Sequence, residues 1–169
     1  MIESTMRITA PFRETVRRNL DIVQERINAA ARRAGRSPND IRLLVVTKTH
    51  PVDVIQCVID EGAVDLGENY VEEAGEKILA LQKNMHCSWH MIGHVQSRKS
   101  SEVVRLFDYV HSLDSLRLAQ RLNLSAVNQG KILSVMLEFN LSGEESKSGW
   151  RLGMEPEWNV LLPDFEAIL

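Results

Sequence analysis

Ile41-Arg42-Leu43-Leu44-Val45-Val46-Thr47 sets the architecture of this chain. It follows a Ser37-Pro38-Asn39-Asp40 turn, and its near-continuous branched aliphatics predict a strand buried on both faces, as in a parallel sheet. On its N-terminal side, Val16, Leu20, Val23, Ile27 and Ala31 recur every three or four residues. That spacing predicts an amphipathic helix over Phe12–Ala34, closed by Gly35. On its C-terminal side strand and helix patterns alternate. A helix over Pro51–Glu61 stops at Gly62, and a short strand follows over Ala63–Leu66. Next come a helix over Tyr70–Lys83, a strand over Ser88–Ile92 and a helix over Ser97–Leu106. The series ends with a strand over Tyr109–Leu113, a helix over Ser115–Val127 and a long strand over Ile132–Phe139. Leu141–Gly149 reads as a polar loop, and Glu155–Leu169 as a helical stretch interrupted by Pro163. Strands alternating with helices over short loops call for a parallel sheet with right-handed crossovers. A doubly wound sheet and a (β/α)8 barrel both satisfy this pattern, and periodicity alone does not choose between them.

The chain has 169 residues, 44% hydrophobic and 25% charged, which suits one globular domain over 1–169 with no internal repeat or linker. A net charge of −3 gives no electrostatic reason to expect nucleic acid. Arg17, Arg18, Arg32, Arg33 and Arg36 read as a solvated helix face. No apolar run is long enough to span a membrane, and no signal-peptide core opens the chain. Cys57 and Cys87 lie far apart with no metal-binding spacing, so two small core thiols in a reduced, cytoplasmic setting are expected.

In either architecture the working residues gather at the C-terminal ends of the strands. Those ends read Thr47-Lys48-Thr49-His50, Gly67-Glu68-Asn69-Tyr70, His90-Met91-Ile92-Gly93-His94, Ser112-Leu113-Asp114 and Asn140-Leu141-Ser142. By two-residue alternation Leu44, Val46 and Lys48 share one face. Partial burial of a lysine disfavours its ammonium form and frees a lone pair for attack on an aldehyde. The plainer alternative is a lysine that closes a strand and reaches solvent. His90 reads either as a hydrogen-bonded core residue or as a group packed on an aromatic cofactor. Asn69 reads as a turn residue or a ligand contact. Lys147 lies on a polar loop. Glu72, Glu73 and Glu76, with Asp60 and Glu61, read as wet helix faces. His86, His90 and His94 have a spacing that would converge on a helix, but the segment reads as a strand, so no metal site is expected. No phosphate loop, nucleophile elbow or zinc-protease motif is found.

Several blocks together resemble one family. They are Leu43–Thr49, Leu66–Glu73, Trp89–Lys99, Ser112–Ser115 and Asn140–Gly149, in order and at matching spacing from about residue 41 to 150. The chain resembles the pyridoxal phosphate homeostasis proteins, of the YggS or PROSC type. The resemblance implies a (β/α)8 TIM barrel of the alanine racemase N-terminal type, with about the first five strands present. It also implies pyridoxal phosphate (PLP) held as a Schiff base on Lys48, with Asn69, His90 and Ser112 near the pyridine ring. Lys147 would be a second lysine for cofactor exchange. The implied role is to carry and buffer PLP, and PLP-dependent apoenzymes are the implied recipients. Two alternatives remain open, a racemase-like enzyme and a scaffold that binds no cofactor. The family's C-terminal segments, which supply most of the phosphate-binding groups, are not in this sequence. An open part-barrel leaves sheet edges uncovered, so a partner copy over the open edge, an ordering rearrangement or marginal stability is expected.

Overall fold

The computed structural model describes residues 8–81 and 86–151, with Pro163 and Glu166. The expected helical stretch over 155–169 therefore lies outside the described residues, apart from those two positions. The chain forms two compact units, one of residues 1–67 and 76–88, the other of 68–75 and 89–169.

In the first unit, α1 (Ala10–Arg33) starts two residues earlier than the apolar pattern suggests, because the Thr9 hydroxyl caps Phe12 N–H at 3.3 Å. Strand β1 is only Leu44–Val46, and α2 (Val52–Asp60) follows, with Pro51 as its N-cap. β1 pairs in parallel with the start of β2 (Asp65–Glu68), in the register Leu44↔Asp65 and Val46↔Gly67. Two expectations fail here. The second strand lies two residues beyond Ala63–Leu66, since backbone pairing, not apolarity, selects its end: Gly67 pairs with Val46, and Glu68 O accepts from Ile92 N–H. The first strand is not buried on both faces either: Val46 is 46% exposed, while Leu66, across the ladder, is fully buried against the helical side. A part-barrel covers the outer face of its strands with helices and leaves the inner face open.

The charges of α1 and α2 also depart from the solvated faces expected. Arg17 Nε donates to Glu61 Oε2 at 2.7 Å, and Arg13 reaches Glu61 and Asp60 at 3.1 Å each. The Glu61 carboxylate is only 6% exposed, so it fastens one helix to the other.

Helix α3 (Val71–Ala80) leads to the second unit's strands, β3 (Ser88–Met91), β4 (Tyr109–Leu113) and β5 (Ser134–Leu137). The pairs β3–β4 and β4–β5 are parallel, and strand order follows the chain from β1 to β5. The helix expected over Ser97–Leu106 divides into a 3-10 turn, Ser97–Lys99, and α4 (Ser100–Leu106). Helix α5 spans Leu116–Gln129 behind the Ser115 cap and ends at Gly130, which has φ +60°. Met91 and Val110, paired across β3 and β4, are buried on the helical side with Val103, Val104, Leu118 and Leu122. The long strand expected over Ile132–Phe139 breaks at Glu138. Phe139–Asn140 (β6) pairs instead with Trp150–Arg151 (β7) around the polar loop.

Candidate functional site

Lys48 lies in the first unit, at the C-terminal end of β1. Thr47 N–H extends the ladder by donating to Gly67 O at 2.9 Å, and its side chain is buried. The chain then turns, and His50 N–H returns to Thr47 O at 3.2 Å. Within this turn Thr49 has φ +64°, the one non-glycine residue with positive φ among those described. A β-branched side chain in that region is strained by about 1–2 kcal/mol. Lys48 is exposed, as are Thr49 and His50. The half-buried lysine expected from alternation is therefore not found. Alternation ends where the strand ends, and Lys48 falls in the turn beyond the ladder.

The Thr47 carbonyl has a second donor. Lys77 Nζ, on α3, lies 2.9 Å from it, and the whole Lys77 side chain is 1% exposed. Lys77 continues the buried stripe of Val71, Ala74 and Leu81. A lysine at an apolar-stripe position is the one signal the sequence carries for this residue.

The other four candidates lie in the second unit. Ile92 N–H donates to Glu68 O at 2.9 Å, bringing the end of β3 beside the segment that carries Asn69. Contact there is close: a Cβ on Gly93 would sit 2.4 Å from Asn69 O and 2.8 Å from its Cα. Ser112 Oγ donates to Gly93 O at 2.6 Å. Asn69 and Ser112 are thus joined through Gly93, a residue with no side chain to mark it in the sequence.

His90 is buried and stacks on Tyr109, with ring centroids 4.3 Å apart and 6° between planes. Its Nδ1 lies 2.9 Å from Nε2 of His111, so one ring donates and the other accepts. Burial first, and then His90, push the His111 pKa down from its ordinary value. His90 is thereby a hydrogen-bonded residue within a ring cluster.

Lys147 is exposed on the polar loop. Its Nζ donates to Glu144 Oε1 at 2.6 Å and approaches Ser142 Oγ at 3.4 Å. The Lys147 hydrogen bond, followed by that of Ser142, holds the Glu144 carboxyl below the usual range. Asn140 builds the loop. Its buried amide donates to Glu144 O at 2.8 Å and accepts from Gly143 N–H at 2.9 Å. An open cavity of about 460 Å³ lies against this loop, lined by Ile92, His94, Ser112, Asn140, Ser142 and Lys147 among others. His94 Nδ1 lies 3.1 Å from Asp114 Oδ2 at the same mouth. Ser112 and Lys147 therefore share a cavity, Asn69 adjoins it through Gly93, and His90 packs into its own ring cluster. Among the described residues no group of His, Cys, Asp and Glu is placed to hold a metal. No helix described is long and apolar enough to cross a membrane.

The chain is similar to several known proteins. The pyridoxal phosphate homeostasis protein of Escherichia coli is 45% identical over 136 residues, covering 79% of this chain and 58% of that protein. The chain thus spans somewhat more than half the length of the curated relatives it matches. A protein of unknown function from Bifidobacterium adolescentis superposes with TM-score 0.82 at 32% identity, covering 95% of this chain and 66% of that one. PipY of Synechococcus elongatus, solved with PLP bound, superposes with TM-score 0.68 at 30% identity, covering 87% of this chain and 65% of PipY. The family model of the alanine racemase N-terminal domain matches residues 18–167. The five parallel strands and their helices are part of that domain's barrel, and the chain belongs to the alanine racemase N-terminal domain family.

Proposed function

We propose that this chain is a cytoplasmic PLP carrier, acting as one partial barrel domain over 1–169, with Lys48 as the residue that takes the cofactor. The observation that carries the proposal is the place of Lys48, on a hydrogen-bonded turn at the C-terminal end of β1, where parallel-sheet folds gather their working residues. When bound, PLP supplies an aldehyde carbon that condenses with a primary amine. The residues present fit that aldehyde: Lys48 offers an amine that solvent-borne molecules can reach. A cavity of the second unit is lined by Ser112, Glu138, Asn140 and Lys147, and of these the exposed Lys147 amine, paired with Glu144, is the cationic group. Asn69, His90, Ser112 and Lys147 are proposed as the ring-side and exchange residues, and PLP-dependent apoenzymes as recipients. The naming of relatives as PLP homeostasis proteins, and a PLP-bound PipY, support the reading.

No observation favours a racemase. Tyr70 is 57% exposed and Tyr109 is stacked on His90. The test is retention of visible absorbance by the purified protein after incubation with PLP and gel filtration. The native chain is expected to keep the chromophore and Lys48→Ala to lose it. A Lys48→Ala protein that keeps it in full refutes the assignment.

A further inference from the structure

We infer that Lys77 is a positioning residue for Lys48, holding the turn that presents Lys48 by donating to the carbonyl of Thr47. The inference rests on the reading of Lys48 given above and deepens it. An amine carried out of water needs acceptors for its hydrogens, so a 1% exposed lysine holds whatever accepts from it. One such acceptor is the oxygen of the peptide bond that joins Thr47 to Lys48, 2.9 Å from Lys77 Nζ. The same oxygen accepts from His50 N–H at 3.2 Å, so it closes the turn from inside while Lys77 holds it from the helix.

The turn needs such a hold. Thr49 at φ +64° pulls the backbone back toward the β region, which would open the His50 contact and let Lys48 swing. On its other side, Thr47 is fixed by its N–H on Gly67 O, with its hydroxyl 3.4 Å from the same carbonyl. Thr47 is thus anchored through its N–H and through its carbonyl. Lys77 itself is too buried to meet a ligand, so it acts through Thr47 and touches no cofactor.

The experiment compares the native chain, Lys77→Met, and Lys77→Met combined with Thr49→Gly. Two quantities are read: hydrogen exchange at the His50 amide, without PLP, and the rate at which PLP forms a borohydride-stable adduct on Lys48. Lys77→Met is expected to speed His50 exchange and slow Lys48 labelling by about tenfold each, the effect of one lost buried hydrogen bond. Thr49→Gly, which accepts positive φ without strain, is expected to restore much of both. A loss confined to core packing would not be repaired at Thr49. His50 exchange and Lys48 labelling in Lys77→Met within twofold of the native chain would overturn the inference.

A measurement on the native chain covers a Met variant that does not fold. Nitrogen-15 spectra should show Lys77 Nζ protons shielded from solvent and coupled to the Thr47 carbonyl. Rapid exchange of those protons, like that of a surface lysine, overturns the proposal. A native chain with no adduct on Lys48, but with His50 protection dependent on Lys77, would sink the carrier reading and leave the clamp standing.

Discussion

Glu61 shows how single residues set the pH response of this molecule. Arg17 first and Arg13 second hold its carboxyl below the usual range, so the folded chain binds a proton there less readily than the unfolded chain. Its contribution to stability is therefore present above the ordinary carboxylate pKa of about 4.3 and is lost as pH falls through the lower folded value. Glu61→Gln should lower the melting temperature at neutral pH, and the gap from the native chain should close in acid. A gap that persists unchanged at low pH would contradict the ion-pair account. Gly93 makes a steric case. A methyl group there would meet the Asn69 backbone, which has no flexible end to move aside. Gly93→Ala should cost about 2 kcal/mol or more in urea unfolding. Neither residue was singled out by sequence. A helix-end glutamate looks solvated until the partner helix is placed, and a glycine carries no sign of the backbone beside it. Lys48 was picked out by sequence, but its direction was not, because strand alternation does not extend into a turn held by a threonine with positive φ.

Among the elements, those with local signals were legible. β4 falls at Tyr109–Leu113 as expected, and α5 begins at Leu116, one residue beyond the expected start, because Ser115 is its cap. The Ser115 hydroxyl accepts from Leu118 N–H at 3.4 Å, and Ser115→Ala should cost about 1 kcal/mol, measured by urea unfolding. An unchanged midpoint would show that cap to be idle. The elements that moved are those set by distant partners. β2 shifted to Asp65–Glu68 because its ladder partner is β1, and a Gly-Glu pair has little strand propensity of its own. The strand expected through Phe139 broke because Gly149, at φ +106°, packs against Glu138 and Asn140 and sends Phe139 to pair with Trp150.

At the scale of the whole molecule, five parallel strands with covering helices follow from the alternating pattern, but the choice of barrel over doubly wound sheet does not. That choice came from the blocks shared with a family, which carry site chemistry that hydropathy ignores. Among the described residues β5 pairs with β4 only, and all four of its residues are exposed, Met136 by 52%. An exposed apolar edge strand is a template for another chain. The protein should therefore associate in a concentration-dependent way in sedimentation velocity. Met136→Lys should weaken that association without lowering helix content, whereas a chain that stays monomeric throughout would contradict it.

The most direct test of the carrier account is to treat the native protein with PLP and borohydride and map the modified peptide by mass spectrometry. The account predicts a reduced pyridoxyl group on Lys48, formed faster than on exposed lysines elsewhere in the chain. Labelling spread evenly over surface lysines, with no preference for Lys48, would contradict it.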